Sequence, residues 1–213
     1  MKTDELIARL SADNARDGWR EPMRALGLGV AAGTVTSFAI MVLWLGKRPD
    51  LAAAMSTSAY WMKFAYTAAF AIVAFWLLER LAKPGAPATV PEVALFIPFF
   101  ALAAIAIVEI AQAAPAERPH MMMGASSNVC PWRIIALSLP IFSGVFWALK
   151  KFAPTRLIVA GAVAGLLAGA AGAWVYAFHC DESAAPFVAI FYTFGVAVVG
   201  ALGGAIGRFA LRW

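Results

Sequence analysis

Charge is what this sequence has least of. Only 14% of its 213 residues are Asp, Glu, Lys or Arg, against roughly 25% in soluble domains, while 62% are hydrophobic, so most of the chain cannot face water. Cysteine and histidine are scarce, two residues each. The chain has no CxxC pair, HExxH helix, phosphate-binding glycine loop or nucleophile elbow, so an enzyme reading has no motif whose spacing its mechanism requires. A cleavable signal peptide would begin near an apolar core, whereas residues 1–24 are largely polar and include Asp4, Glu5, Asp13, Asp17 and Glu21; Met1 is therefore expected to stay in the mature protein. Ionisable side chains are nearly missing from the apolar stretches, which argues against an ion path. Lys63 and Glu109 come closest, both near span ends, where Lys63 can snorkel and Glu109 can reach water or pair with it.

What is present is length of apolar chain. Six segments can be read, Leu26 to Gly46, Trp61 to Leu78, Val90 to Ile110, Trp132 to Leu149, Leu157 to Phe178 and Ala185 to Gly207, each close to the ~20 helical residues that span ~30 Å of hydrocarbon. The expected fold is an all-α, polytopic transmembrane helix bundle of six spans (26–213), preceded by a cytoplasmic amphipathic segment (1–25). Pro98 and Pro140 fall inside the third and fourth spans and should kink them. Of the 17 Lys and Arg, twelve lie on the side of the N-terminus and five (Lys47, Arg48, Lys63, Arg118, Arg133) on the other, which puts both termini in the cytoplasm. The net charge of +5 is scattered at span edges and forms no basic stripe, so no direct nucleic-acid partner is expected. Gly29 and Gly33, Gly161, Gly165 and Gly169, and Gly200, Gly203, Gly204 and Gly207 let helix backbones approach closely; packing within one chain explains them, and an oligomer interface is the alternative.

Two regions can carry chemistry. In the opening segment Thr3 is placed as an N-cap, Asp4 and Glu5 occupy the first turn, and Leu6, Ile7 and Leu10 share one face. A helix this short is marginal alone, so that face needs a receiver, either a lipid surface or a groove on a protein; the interleaved acids favour the protein. On the opposite side, Cys130 and Cys180 flank the fourth and fifth spans, and an antiparallel pair of those helices would bring them together. A disulfide staple is one reading. His120, His179 and the run Met121, Met122 and Met123 are expected on the same side, and thiolate, thioether and imidazole suit a soft transition metal ion such as Cu(I), so a metal or redox sensing site is the other.

The order of short motifs along the chain resembles that of the NrsF-like multi-pass bacterial membrane anti-sigma factors, negative regulators of an extracytoplasmic-function sigma factor. The motifs are the opening KTDELIARL, Arg48-Pro49-Asp50-Leu51 followed by Trp61 and Lys63, Cys130-Pro131-Trp132-Arg133 leading to Leu139-Pro140, Ala153-Pro154-Thr155-Arg156, Val175 to Cys180, Phe191-Tyr192 with Gly195, and Leu211-Arg212-Trp213. Asp181 stands where the pattern would have proline. The resemblance implies a protein of the bacterial inner membrane with no catalytic activity. It would hold its sigma factor through Leu6, Ile7 and Leu10 and release it on a periplasmic stress signal received at the cysteine pair. A small multi-pass transporter or metal permease is the competing reading; it would need polar groups at mid-membrane. A thiol-to-quinone enzyme would need a reactive CxxC pair.

Overall fold

The computed structural model describes Thr3, Glu5 and residues 20–83, 85–152 and 154–212. Leu6, Ile7 and Leu10 lie outside these described residues. Every regular element among the described residues is helical. Among the described residues six helices are long and apolar enough to cross a bilayer: α1 Arg20–Leu45, α2 Ser58–Ala82, α3 Thr89–Gln112, α4 Cys130–Leu149, α5 Leu157–Tyr176 and α6 Ala185–Ala210. Each overlaps one of the apolar segments read from the sequence.

The centre of the bundle is α5. It is apolar all round and buries Gly161, Ala164, Gly165, Ala168, Gly172 and most of its other residues, as expected of a helix with no solvent face. Its neighbours are α6, α4 and α2. Small residues make this possible: a Cβ at Gly161 would run into the Gly203 carbonyl, and one at Gly169 would lie 3.0 Å from the Val196 Cα. The same device joins α1 to α4, where Gly29 and Gly144 meet backbone to backbone. These glycine contacts are made within the chain.

One buried polar bond crosses the α1–α4 seam: the Ser37 hydroxyl donates to the Leu137 carbonyl at 2.6 Å. Ser37→Ala is expected to lower thermal stability in detergent by about 1 kcal/mol. Thr36→Ala, which removes only a bond to the Ala32 carbonyl of its own helix on an exposed face, should leave the melt unchanged.

The two prolines act differently. The helical pattern of α3 is interrupted at Leu95, next to the Ala94 carbonyl that Pro98, lacking an N–H, cannot bond. By contrast, α4 runs on through Pro140, and its backbone there abuts Gly33 of α1. In the Phe96–Gln112 part of α3 only Leu102 and Ala106 are buried; the helix leans on the start of α6 and on α2 from the edge of the bundle.

Two clusters form the core. One contains Leu26, Leu149, Phe152 and Leu211 and lies at the end where the described chain enters and leaves, the terminal end. The other contains Tyr60, Ile134, Tyr176, Tyr192 and both cysteines, and marks the cysteine end. Two π-helical turns, Met41–Leu45 and Val188–Tyr192, sit near the cysteine end of α1 and α6. Such turns often occur where a helix must re-aim a side chain, and the second delivers Tyr192 into the core.

Candidate functional site

Between α5 and α6 the chain forms a strap, residues 177–184. The end of α5 fixes its start, through His179 and Cys180 N–H groups donating to the Tyr176 carbonyl at 2.9 and 3.0 Å. Cys130 is the first residue of α4, its N–H donating to the Ser126 carbonyl at 2.9 Å. The two helices thus bring Cys130 and Cys180 together. Both thiols are free and buried, side by side in the same core cluster. Hydrogen bonding between the paired thiols, with the Lys63 ammonium nearby, holds Cys180 below the ordinary thiol value against its burial. A thiol so placed leans toward thiolate, the form that reacts with oxidants and soft metals.

Lys63 is the least expected member of the site. Its side chain is 0% exposed, and its ammonium donates to the Cys180 carbonyl at 2.8 Å and the Glu182 carbonyl at 2.7 Å. The Tyr192 ring lies 5.8 Å away, near enough for cation–π attraction. The Tyr192 hydroxyl is buried, makes no hydrogen bond of acceptable geometry, and lies beside the two thiols. The reading of Lys63 as a snorkelling lysine or a partner of Glu109 is corrected. The ammonium is sealed from solvent by the strap itself, and the Glu109 carboxylate instead accepts from the Ala185 N–H at 2.8 Å, capping the start of α6.

The remaining neighbours hold the strap as well. Arg48, just after α1, grips Asp50 in a two-pronged pair at 2.7 Å on each prong and reaches the Cys180 carbonyl at 3.4 Å, while its own N–H bonds the Phe178 carbonyl at 3.1 Å. The pairing holds the Asp50 carboxyl below the usual carboxylate range. His179 Nδ1 is 2.9 Å from the Gly46 carbonyl, which can only accept, so Nδ1 carries the proton and Nε2 receives Arg133 of α4 at 3.2 Å. The Glu182 carboxylate accepts from the Ala125 N–H at 2.6 Å. Thus α2, α3 and α4, the segment following α1, and the loop before α4 each send a polar group to the strap or its junction with α6.

The structure does not assemble the proposed metal ligands. His120, Met122 and Met123 are exposed and Met121 half-buried on a short helix, Arg118–Met123, while both ring nitrogens of His179 are engaged. Among the described residues no three His, Cys, Asp or Glu side chains are grouped to hold an ion. Sharing one side of a bundle did not make these residues one site. Sequence reasoning missed the roles of Arg48, Glu182 and Tyr192. It noticed Lys63, a basic residue inside an apolar run, but not its partners, which are backbone carbonyls far along the chain.

Comparison with known proteins assigns the chain. A family model described as negative regulator of sigma F, NrsF, matches residues 10–213. The chain belongs to the NrsF family. The probable anti-sigma-F factor NrsF of Azospira oryzae is 36% identical over 217 residues, and the anti-sigma-F factor NrsF of Caulobacter vibrioides is 34% identical over 214; both alignments cover 100% of each chain. No solved structure matches. The NrsF description is that of a regulator, not of an enzyme.

Proposed function

We propose that this NrsF-family protein is a membrane-spanning anti-sigma factor that holds an extracytoplasmic-function sigma factor at the cytoplasmic face and releases it when the Cys130–Cys180 pair changes state on the periplasmic side. The observation that carries the sensing half is the strap: Cys180 belongs to it and Cys130 packs beside it, and α2, α4 and the loops before them each hold it by a hydrogen bond. Full-length similarity to proteins named anti-sigma-F factors supports the regulatory half.

Membrane insertion is supported by six apolar helices of 20 to 26 residues and by a side surface that exposes Val35, Leu43, Ile72 and Ile107, apolar area that calls for a lipid solvent. The twelve-to-five distribution of Lys and Arg supports placing the terminal end inside. The sigma-binding element is the segment 1–25, through Leu6, Ile7 and Leu10. In the redox form of the signal, a hydroperoxide takes two electrons and two protons from the thiols, the O–O bond breaks to give water and an alcohol, and an S–S bond forms. A soft metal ion would instead displace the thiol protons, with further ligands recruited by rearrangement. Either event moves Cys180, whose carbonyl is held by Lys63 and Arg48, and so biases two packings of the bundle. A signal shifts such an equilibrium only by its differential affinity for the two states.

The test is a pull-down from detergent-solubilised bacterial membranes with the intact chain and a variant lacking residues 2–20. The intact chain is expected to recover a sigma factor and the truncated one at least about tenfold less, the equivalent of ~1.4 kcal/mol or more. Equal recovery by both moves the contact to the inner loops, and recovery by neither turns the case toward transport, to be checked by flux. Cys130→Ser and Cys180→Ser should keep sequestration and lose stress-induced release; normal release in both removes the sensor assignment.

A further inference from the structure

A groove of about 570 Å³ runs between α5 and α6, lined by residues of those two helices alone. Its floor is made of small residues, Ala162 on α5 and Ala197, Ala201 and Gly204 on α6, with Ile158 and Leu166 as walls. At the terminal end it passes Arg208 into a second hollow of about 410 Å³ lined by Arg156, Leu157, Arg208 and Arg212. Arg156 is paired with Glu92 at 2.8 Å. Arg208 lies over the Phe209 ring at 4.3 Å, and among the described residues neither it nor Arg212 meets a carboxylate. The groove therefore ends in positive charge that the described residues do not neutralise.

Depth decides what fits. From Arg208 to Ala197 is 11 residues of helix, or ~16 Å at 1.5 Å per residue, about half of a ~30 Å hydrocarbon core. That is one leaflet. The groove between α2 and α3, about 340 Å³ and lined by Met62, Tyr66, Pro98 and Leu102 among others, is apolar with no cation in its lining, so it lacks the combination of apolar floor and basic mouth found between α5 and α6.

We propose that the α5–α6 groove binds an anionic phospholipid of the cytoplasmic leaflet, an acyl chain lying over Ala162, Ala201 and Gly204 and the phosphodiester held by Arg208 and Arg212. Guanidinium forks match phosphate oxygens, and basic pockets between helices on the cytoplasmic side suit such headgroups. The inference rests on the membrane orientation proposed above. Because α5 is the helix most surrounded by the others, a lipid here presses on the seam that joins the cysteine end to the terminal end.

The experiment reconstitutes the full chain in nanodiscs of phosphatidylcholine alone or mixed equally with phosphatidylglycerol, and measures melting and, by native mass spectrometry, lipid retained after extraction into detergent. The parent chain should melt higher in the mixture and retain phosphatidylglycerol. The double variant Arg208→Gln, Arg212→Gln should retain about tenfold less, and Ala201→Leu, which fills the groove without touching charge, should lose it as well. Lys150→Gln with Lys151→Gln removes as much charge at the same end and should behave as the parent. Equal retention of both lipids, equal loss in the lysine control, or a lipid-free dimer cross-linked through Ala201 would each overturn the proposal, the last by giving the groove to a second copy. If the orientation itself were wrong, the sign would be different: cysteine labels placed at Lys150 and Arg212 would react with an impermeant maleimide in intact spheroplasts.

Discussion

Gly203→Leu is expected to yield no monodisperse protein. A Cβ at Gly203 would run into the Gly161 carbonyl and lie 3.0 Å from both the Cα and the N of Gly165. These are backbone atoms of the central helix, which cannot swing aside as a side chain can. Extra methylenes in a packed core commonly cost about 1–3 kcal/mol, and here relief requires α5 and α6 to separate along the whole seam. Even Gly203→Ala should lie at or beyond the upper end of that range. Gly27→Ala is the control, since nothing lies within 4 Å of its Cβ position, and alanine in a helix interior is favoured by about 1 kcal/mol. Gly204→Ala belongs with the control, its Cβ meeting the Ala162 Cβ at 3.4 Å. Thermal melts and size-exclusion profiles in one detergent compare the four. A Gly203→Ala protein that melts with the parent would show that the α5–α6 seam is looser than the structure has it.

The contrast between Gly203 and Gly204 also shows what a linear sequence conveys. Glycine spacing announces that backbones will meet, but not which of two adjacent glycines does the meeting. The six apolar helices were legible because a bilayer-length apolar run has a characteristic length, and every end read from the sequence lies within six residues of the observed one. The nearness of Cys130 and Cys180 was legible too, since antiparallel neighbours must bring the end of one helix beside the start of the next. The lysine was not. Its partners are the carbonyls of Cys180 and Glu182, and carbonyls are carried by every residue, so no residue type marks them in advance. The His120–Met123 run presents the opposite case. Its residue types suit a metal, but a short surface helix turns two of its methionines and its histidine toward the outside. Pro98 and Pro140 looked alike in sequence, yet of the two helices only the one containing Pro98 has its helical pattern interrupted, while α4 continues through Pro140, where its backbone abuts Gly33 of α1.

Lys63→Met is expected to loosen the strap more than it weakens the protein. Methionine fills nearly the same volume and removes a buried charge, whose loss of hydration costs several kcal/mol in the folded state. Against this gain, the Glu182 carbonyl loses its ammonium donor and the Cys180 carbonyl keeps only Arg48 at 3.4 Å, a penalty of about 1–3 kcal/mol for each buried acceptor left without a good partner. The two effects oppose, so the melt should fall by no more than about 3 kcal/mol. The strap itself has no such compensation, for among the described residues no other hydrogen bond ties residues 180 and 182 to α2. Cys180, 2% exposed in the parent, should then react with maleimide about tenfold faster at a pH high enough to ionise the thiol in both proteins, which removes the thiolate bias that the Lys63 ammonium itself supplies, as if its protected state were destabilised by ~1.4 kcal/mol. If α2, one unbroken helix from Ser58 to Ala82, relays the state of the strap to the terminal end, the variant should also show sigma-dependent transcription without stress. Faster labelling with silent transcription would keep Lys63 as the latch and move the relay to α5. Cysteines as slow to react as in the parent would show that Arg48, His179 and Glu182 hold the strap without it.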